Sequence, residues 1–439
     1  PAPYVAAPTQ QFDGNDGQWS TFAISVGTPG QSFRILPSTS GSETWIPVPQ
    51  GCTSSDPDNC ASLRGADPFN GRASSGFLTN QSSTWDEIGL YSLDLEANLN
   101  YTGNGLYGYD TVALGSPSDS SRLSVNHSVV AGIADKDYFL GIFGLGNRPL
   151  SFSSSANNSQ GFLQLANDAR EVPSLSFGYT AGAVYQNKQV PGSLVLGGYD
   201  SSRFTANDMS FSFASADAKA LTVGVQSIIA DNTLLGTASF TEGSGGFLAV
   251  VDSTVPYLFL PNQTCDTMAN ALGLTFDETT ELYTINDTMH SKLKSLNPSF
   301  TFKLGNTAFD NGNSTNIQLP YAAFDLQASW PIYQNPTNYF PVRRSQNDTQ
   351  YTIGRAFLQE AYLIVDYERT NFSISQAVFS DPMPPSQIVS IIEASLSNDD
   401  SSSSSSSLSG GAIAGIVIGA IAGVVLLALA GFLLFRRRR

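Results

Sequence analysis

Two stretches of this chain repeat one pattern. Residues 35–47 read Ile-Leu-Pro-Ser-Thr-Ser-Gly-Ser-Glu-Thr-Trp-Ile-Pro, and residues 250–261 read Val-Val-Asp-Ser-Thr-Val-Pro-Tyr-Leu-Phe-Leu-Pro. Each leaves an apolar strand, passes through a small hydroxyl-rich turn and returns to an apolar strand that ends in proline. Such a duplication, in a chain too long for a single hydrophobic core, predicts two lobes with one loop in each. Short runs rich in Val, Ile, Phe, Tyr and Thr, broken by Gly, Pro, Asn and Asp, fill the sequence before residue 380. That is the pattern of an all-β protein. Helical spacing of apolar residues is confined to 159–169, 263–272 and 287–296.

Further landmarks stand in a fixed order around the two loops: Gly27-Thr28-Pro29-Gly30-Gln31, Gly108-Tyr109-Asp110-Thr111-Val112, Gly141-Ile142-Phe143-Gly144-Leu145-Gly146, Gly192 to Asp200, and Ile353-Gly354-Arg355-Ala356-Phe357-Leu358. Together they resemble the pepsin-like aspartic peptidases, including the fungal cell-surface type, over roughly residues 18 to 380. The resemblance implies a bilobal acid-protease fold in which each loop donates one aspartate. Here the second loop keeps Asp252, and Ser38 stands at the acid position of the first. Two carboxylates about 3 Å apart share one proton, so one can act as a base on water while the other donates to the substrate carbonyl. A serine hydroxyl does not ionise near neutrality and cannot hold half of that proton. Ser40 and Thr254 also replace the glycines that the family carries in these loops, which puts Cβ atoms where the backbone should approach closely.

The resemblance further implies that Thr39 and Ser253 brace the loops against each other, that Tyr101 or Tyr107 belongs to a shortened flap hairpin over the cleft, and that Arg355 lies near the second loop, where it could keep Asp252 ionised. It also implies a disulfide between Cys52 and Cys60, with Cys265 left as a buried thiol. Two readings follow. One is a pseudopeptidase that binds an extended peptide, a glycoprotein or a cell-wall polymer; the other is a working aspartic endopeptidase at the cell surface or in the secretory or vacuolar system.

The C-terminus carries its own signal. Residues 410–435 contain no charged side chain, and a helix of that length reaches about 39 Å, enough to cross a bilayer with some tilt. Arg436 to Arg439 follow and favour the cytoplasmic side, which puts the rest of the chain outside a plasma or secretory-pathway membrane as a single-pass ectodomain. The serine run 401–407 before it reads as a flexible stalk. A glycosylphosphatidylinositol signal is the rival reading, with the long tail and four arginines against it. Gly411, Gly415, Gly419 and Gly423 recur every fourth residue and offer a stripe for a parallel homodimer, although small residues are common in membrane helices generally.

Composition agrees with an exported protein. Four of the 21 basic residues lie in the tail and all 37 acidic ones precede position 401, so the body carries 17 against 37, a net charge of −20. Such a surface excludes nucleic acid as a partner. Nine Asn-x-Ser/Thr acceptors occur, at Asn80, Asn100, Asn126, Asn157, Asn262, Asn286, Asn313, Asn347 and Asn371. An opening on Pro1 fits removal of a leader. His127 and His290 sit in no metal-ligand spacing and read as structural, and no phosphate-binding glycine fingerprint is present, so neither a metal nor a nucleotide cofactor is expected. The expected organisation is an N-terminal extension over 1–17, lobes over 18–200 and 201–385, a stalk over 386–409, a membrane helix over 410–435 and a basic tail over 436–439.

Overall fold

The apolar runs pair into two large sheets, one per lobe, and a third that joins them. The computed structural model describes residues 1–152, 159–215 and 219–395, with Pro1 to Glu393 forming one compact unit. The expected membrane helix, the basic tail, the glycine stripe and Asn157 lie outside the described residues. The first lobe is built on an eight-stranded sheet whose middle runs Gln31–Ser38, Gly141–Gly144, Thr44–Pro47, Leu123–Ile133, Asn104–Leu114. The second is built on another eight-stranded sheet centred on Thr222–Thr233, Phe247–Val251, Thr352–Ile353 and Leu258–Leu260. The joining sheet interleaves both halves of the chain, in the order Tyr4–Ala6, Ser193–Leu196, Ser176–Thr180, Ala361–Asp366, Asn371–Ala377. Helices are few, at Phe162–Asp168, Asn262–Leu272 and Asp287–Leu296 among the longer ones, close to the three windows of helical spacing.

The duplication in sequence is a duplication in topology. In the first lobe, strand 31–38 enters the loop, strand 44–47 leaves it, and strand 141–144 passes between them, parallel to one and antiparallel to the other. In the second lobe, Phe247–Val251 enters, Leu258–Leu260 leaves, and Thr352–Ile353 passes between with the same two senses. Strands enclosed on both sides need continuous apolar runs rather than alternation. Ile35, Trp45 and Ile46 in one lobe and Val251, Leu258 and Leu260 in the other are fully buried. A glycine sits where each passing strand crosses under its loop. A Cβ on Gly144 would lie 2.6 Å from the Gly41 carbonyl oxygen, and one on Gly354 would lie 2.2 Å from that of Tyr257. No real Cβ tolerates such contacts, so only glycine allows the crossing.

Two expected boundaries move. Residues 1–17 are no extension: Tyr4–Ala6 pairs with 194–196 in the joining sheet, and Pro8–Asp13 pairs with Trp19–Val26 in the first lobe. The body also continues past 385, because Ile388–Ser390 pairs with Gly198–Asp200 and the Asp200 carboxylate accepts from Ser386 Oγ and Gln387 N. These edge strands are short and their side chains mostly stay exposed or half-buried, so their pairing is made by backbone groups and leaves little mark in the sequence.

Cys52 and Cys60 form a disulfide. Cys265 is free and buried, with its thiol pushed up to about 12 by burial, so it is inert as a nucleophile. Seven acceptor asparagines are exposed, namely Asn80, Asn100, Asn126, Asn262, Asn286, Asn313 and Asn347, while Asn371 is half-buried. His127 stacks on Tyr109, and His290 bonds the Asp325 carboxylate at 2.6 Å.

Candidate active site

The two loops meet face to face between the lobes. Thr39 N donates to Ser253 Oγ at 3.0 Å and Ser253 N donates to Thr39 Oγ1 at 3.0 Å; each hydroxyl then reaches a carbonyl of the opposite strand, Thr39 to Val251 and Ser253 to Pro37. All four bonds are buried, where an unmade bond costs most. The acid positions flank this lattice. Asp252 Oδ1 accepts from Thr254 N at 2.9 Å, and Ser38 Oγ accepts from Gly41 N at 2.8 Å. Ser38 and Thr254 also share a hydrogen bond, 2.7 Å between hydroxyl oxygens. The side chain that replaced the second loop's glycine thus takes up the hydroxyl that replaced the first loop's aspartate. Ser38 is fully buried and its bonding capacity is spent on structure.

A second acid comes to Asp252 from an unexpected direction. Strands Asp86–Ser92 and Asn104–Leu114 form the flap hairpin, and the segment between them folds back over the cleft, ending in a short 3₁₀ turn at Ala97–Leu99. Leu93, Glu96 and Leu99 are all buried, with exposed neighbours around them. The two buried leucines, three residues to either side, pin the segment about Glu96. The Glu96 carboxyl lines the same cavity as Asp252, near enough to that carboxyl and to the Thr254 hydroxyl for both to act on its proton. No donor among the described residues reaches Glu96 Oε1. A carboxyl that faces another carboxyl in that setting must supply the proton itself. Burial first, and then the Asp252 charge, hold Glu96 well above the usual carboxylate range.

The same hairpin repeats the arrangement closer to its base. Asp94 faces Glu43 of the first loop's exit, and burial followed by that charge pushes Glu43 up to about 7, with Arg148 opposing. Asp94, Glu96, Arg148, Lys219 and Asp252 line one cavity of about 260 Å³. A larger cavity of about 470 Å³ is lined by Leu99, Tyr101, Thr254, Tyr257, Arg343 and Arg355 among others. Of the two candidate flap tyrosines, Tyr101 lines this larger cavity, whereas Tyr107 packs in a small core with Trp45 and Tyr138.

Arg355, expected as the counter-charge of Asp252, is otherwise engaged. Its guanidinium donates to the carbonyls of Ser253 at 2.7 Å and Thr254 at 3.2 Å, stacks over Trp19, and pairs with Asp16 at 3.7 Å. Among the described residues, Asp16 is the carboxylate it pairs with. It therefore braces the second loop from below through the backbone. Sequence reasoning missed Glu96 and Glu43 altogether. The signal that could have found Glu96 is an acid midway between leucines three residues away on each side, inside the flap.

A two-lobed β fold with paired crossing loops at the interface defines the architecture of an acid-protease relative. The sequence model of the family described as eukaryotic aspartyl protease matches residues 21–377, and the chain belongs to that family. It is similar to human gastricsin, 27% identical over 354 residues covering 78% of this chain and 77% of the relative. Gastricsin of Callithrix jacchus is 26% identical over 351 residues, with the same coverage. An acid protease of the yeast Saccharomycopsis fibuligera is 21% identical over 375 residues, covering 83% of this chain and 82% of the relative.

Proposed function

We propose that this member of the aspartyl protease family is a membrane-tethered binding protein that does not hydrolyse peptide bonds. The observation that carries the reading is Ser38, a buried hydroxyl at the first acid position whose oxygen is held by Gly41 N and Thr254 Oγ1. No proton can be shared across the floor of the cleft, so water beside Asp252 lacks the partner that the two-aspartate chemistry requires. The ligand is an extended peptide, a glycoprotein or a cell-wall polymer, bound between the lobes. Residues 410–435 tether the body to the membrane with the tail in the cytoplasm, and the glycine stripe at 411, 415, 419 and 423 supports self-association there. Resistance of the full chain to alkaline carbonate extraction, and no release by a phospholipase that cleaves lipid anchors, distinguish the span from a glycolipid tail.

A second reading has its own observation, the buried Glu96 carboxyl on the same cavity wall as Asp252, which would supply an acid pair from the flap. The full chain, purified in detergent, is incubated with an unbiased peptide library across the acid to neutral range beside Asp252→Ala and Glu96→Gln. Equal background cleavage by all three is the expected result. Turnover lost in both variants would establish the peptidase instead.

A further inference from the structure

We propose that the flap is a proton-operated latch: Glu96 in its acid form bonds Asp252 and holds the cleft shut, and loss of that proton lifts the flap and opens the cleft to its ligand. The inference rests on the cleft being the binding site, and it assigns what regulates access to it.

Three observations place the latch. Glu96 bridges from the flap to the cleft floor, and both it and Asp252 are nearly sealed from solvent, 3% and 4% exposed. A ligand strand running the length of the cleft would have to pass between these two carboxyls, which line one cavity. The flap tip is also fastened to the opposite lobe. Asn98 Nδ2 donates to the Thr349 carbonyl at 3.3 Å, and Gln350 Nε2 donates to the Asn98 carbonyl at 2.5 Å. Finally, the flap brings two acids, Asp94 and Glu96, to the cavity that Asp252 also lines, and the Asp94 charge reaches Glu43 nearby.

The direction of the switch follows from the groups around the pairs. From the second loop, Glu96 meets Asp252 and the neutral Thr254 hydroxyl; Tyr101 on its own segment and Tyr138 below it are neutral over the working range, with burial raising both phenols. Arg148 and Lys219 line the same cavity as Glu96, and Lys219 donates to the Thr349 carbonyl. Arg148 opposes the rise of Glu43, and neither cation gives Glu96 Oε1 a hydrogen bond. Closure therefore takes up protons. It is complete below the ordinary carboxylate value of 4.5 and is lost as pH rises through the raised values of Glu96 and of Glu43, the latter about 7. The sense is opposite to that of an enzyme opened for work by acid.

Hydrogen exchange of the full chain in detergent, corrected for intrinsic rates and read over residues 93–103 at about pH 5 and about pH 8, tests the proposal. Protection of this segment should fall about tenfold or more at the higher pH, the equivalent of one pKa unit of differential binding, while strand Ala361–Asp366 stays protected. Glu96→Gln keeps a hydrogen-bond donor toward Asp252 without the charge and should remain protected at both pH values. Glu96→Ala should be unprotected at both. Equal protection of the wild type at the two pH values overturns the latch. A fall in Glu96→Gln as large as in the wild type overturns its assignment to Glu96 and moves it to the Glu43–Asp94 pair. Peptide cleavage by the wild type would instead overturn the binding-only reading and leave the exchange result to stand by itself.

Discussion

The two loops share one backbone and differ in chemistry. Each is entered and left by the same pair of strands, crossed by the same kind of glycine strand, and tied to the other by Thr39 and Ser253. Each acid position also accepts a local backbone bond, but from a different place in the turn: Ser38 Oγ from Gly41 N, three residues on, and Asp252 Oδ1 from Thr254 N, two residues on. The frame and the reactive group are thus separable. The frame is made of main-chain groups and two bracing hydroxyls, so an acid can be lost from one loop without leaving a buried donor unmatched.

The frame is where the comparison is most easily broken. Ser253→Ala leaves Thr39 N without its acceptor and Pro37 O without its donor, and should cost about 2–4 kcal/mol, the range for two buried groups left unsatisfied. A lower denaturant midpoint at unchanged slope would show it; an unchanged midpoint would mean the frame does not depend on that hydroxyl. Ser38→Asp makes the loops chemically alike again. It introduces a buried carboxyl near Asp252 and should destabilise the neutral-pH protein by about 2 kcal/mol, while peptide cleavage stays at background because Thr254 and Glu96 still fill the site. Cleavage appearing in that variant would show that the rest of the site is intact.

Asp252→Asn makes the loops alike in the other direction, both uncharged. The amide oxygen can keep the bond from Thr254 N, and Glu96 no longer faces a carboxylate, so stability near pH 7.5 should rise by about 1 kcal/mol. A fall in melting temperature would argue that the Asp252 charge is itself stabilising. The smallest effect is expected at Glu43. Its value is raised in the folded state, so its contribution is present in acid and is lost as pH rises through about 7. Glu43→Gln should therefore flatten the decline of melting temperature between about pH 5 and about pH 8, and a slope identical to the wild type would remove Glu43 from the account.

Most of the architecture was legible because it is written in local pattern. The duplicated loops, the ordered glycine landmarks and the three helical windows all depend on residue type at short spacing, and each lies in or next to the element it predicts. The edges were not legible. Residues 4–13 and 388–390 join sheets through backbone hydrogen bonds, which depend little on residue type. Arg355 shows a different limit. Its position in sequence placed it beside the second loop, but only packing against Trp19 and Asp16 decides that its guanidinium serves the loop's carbonyls.

By itself, the sequence determined that the acid position of the first loop, Ser38, cannot ionise, since no fold can give a serine hydroxyl the proton affinity of a carboxylate near neutrality. It also determined the paired frame, because hydroxyls at Thr39 and Ser253 and glycines at 144 and 354 suit only loops that meet and strands that cross. The tertiary structure alone decided that Asp252 is not left without an acid partner. Glu96 lies far from both loops in the chain, and an exposed glutamate there would carry no meaning. Folding the flap onto the cleft buries it against a second carboxyl, and burial beside a like charge is what makes its proton stay.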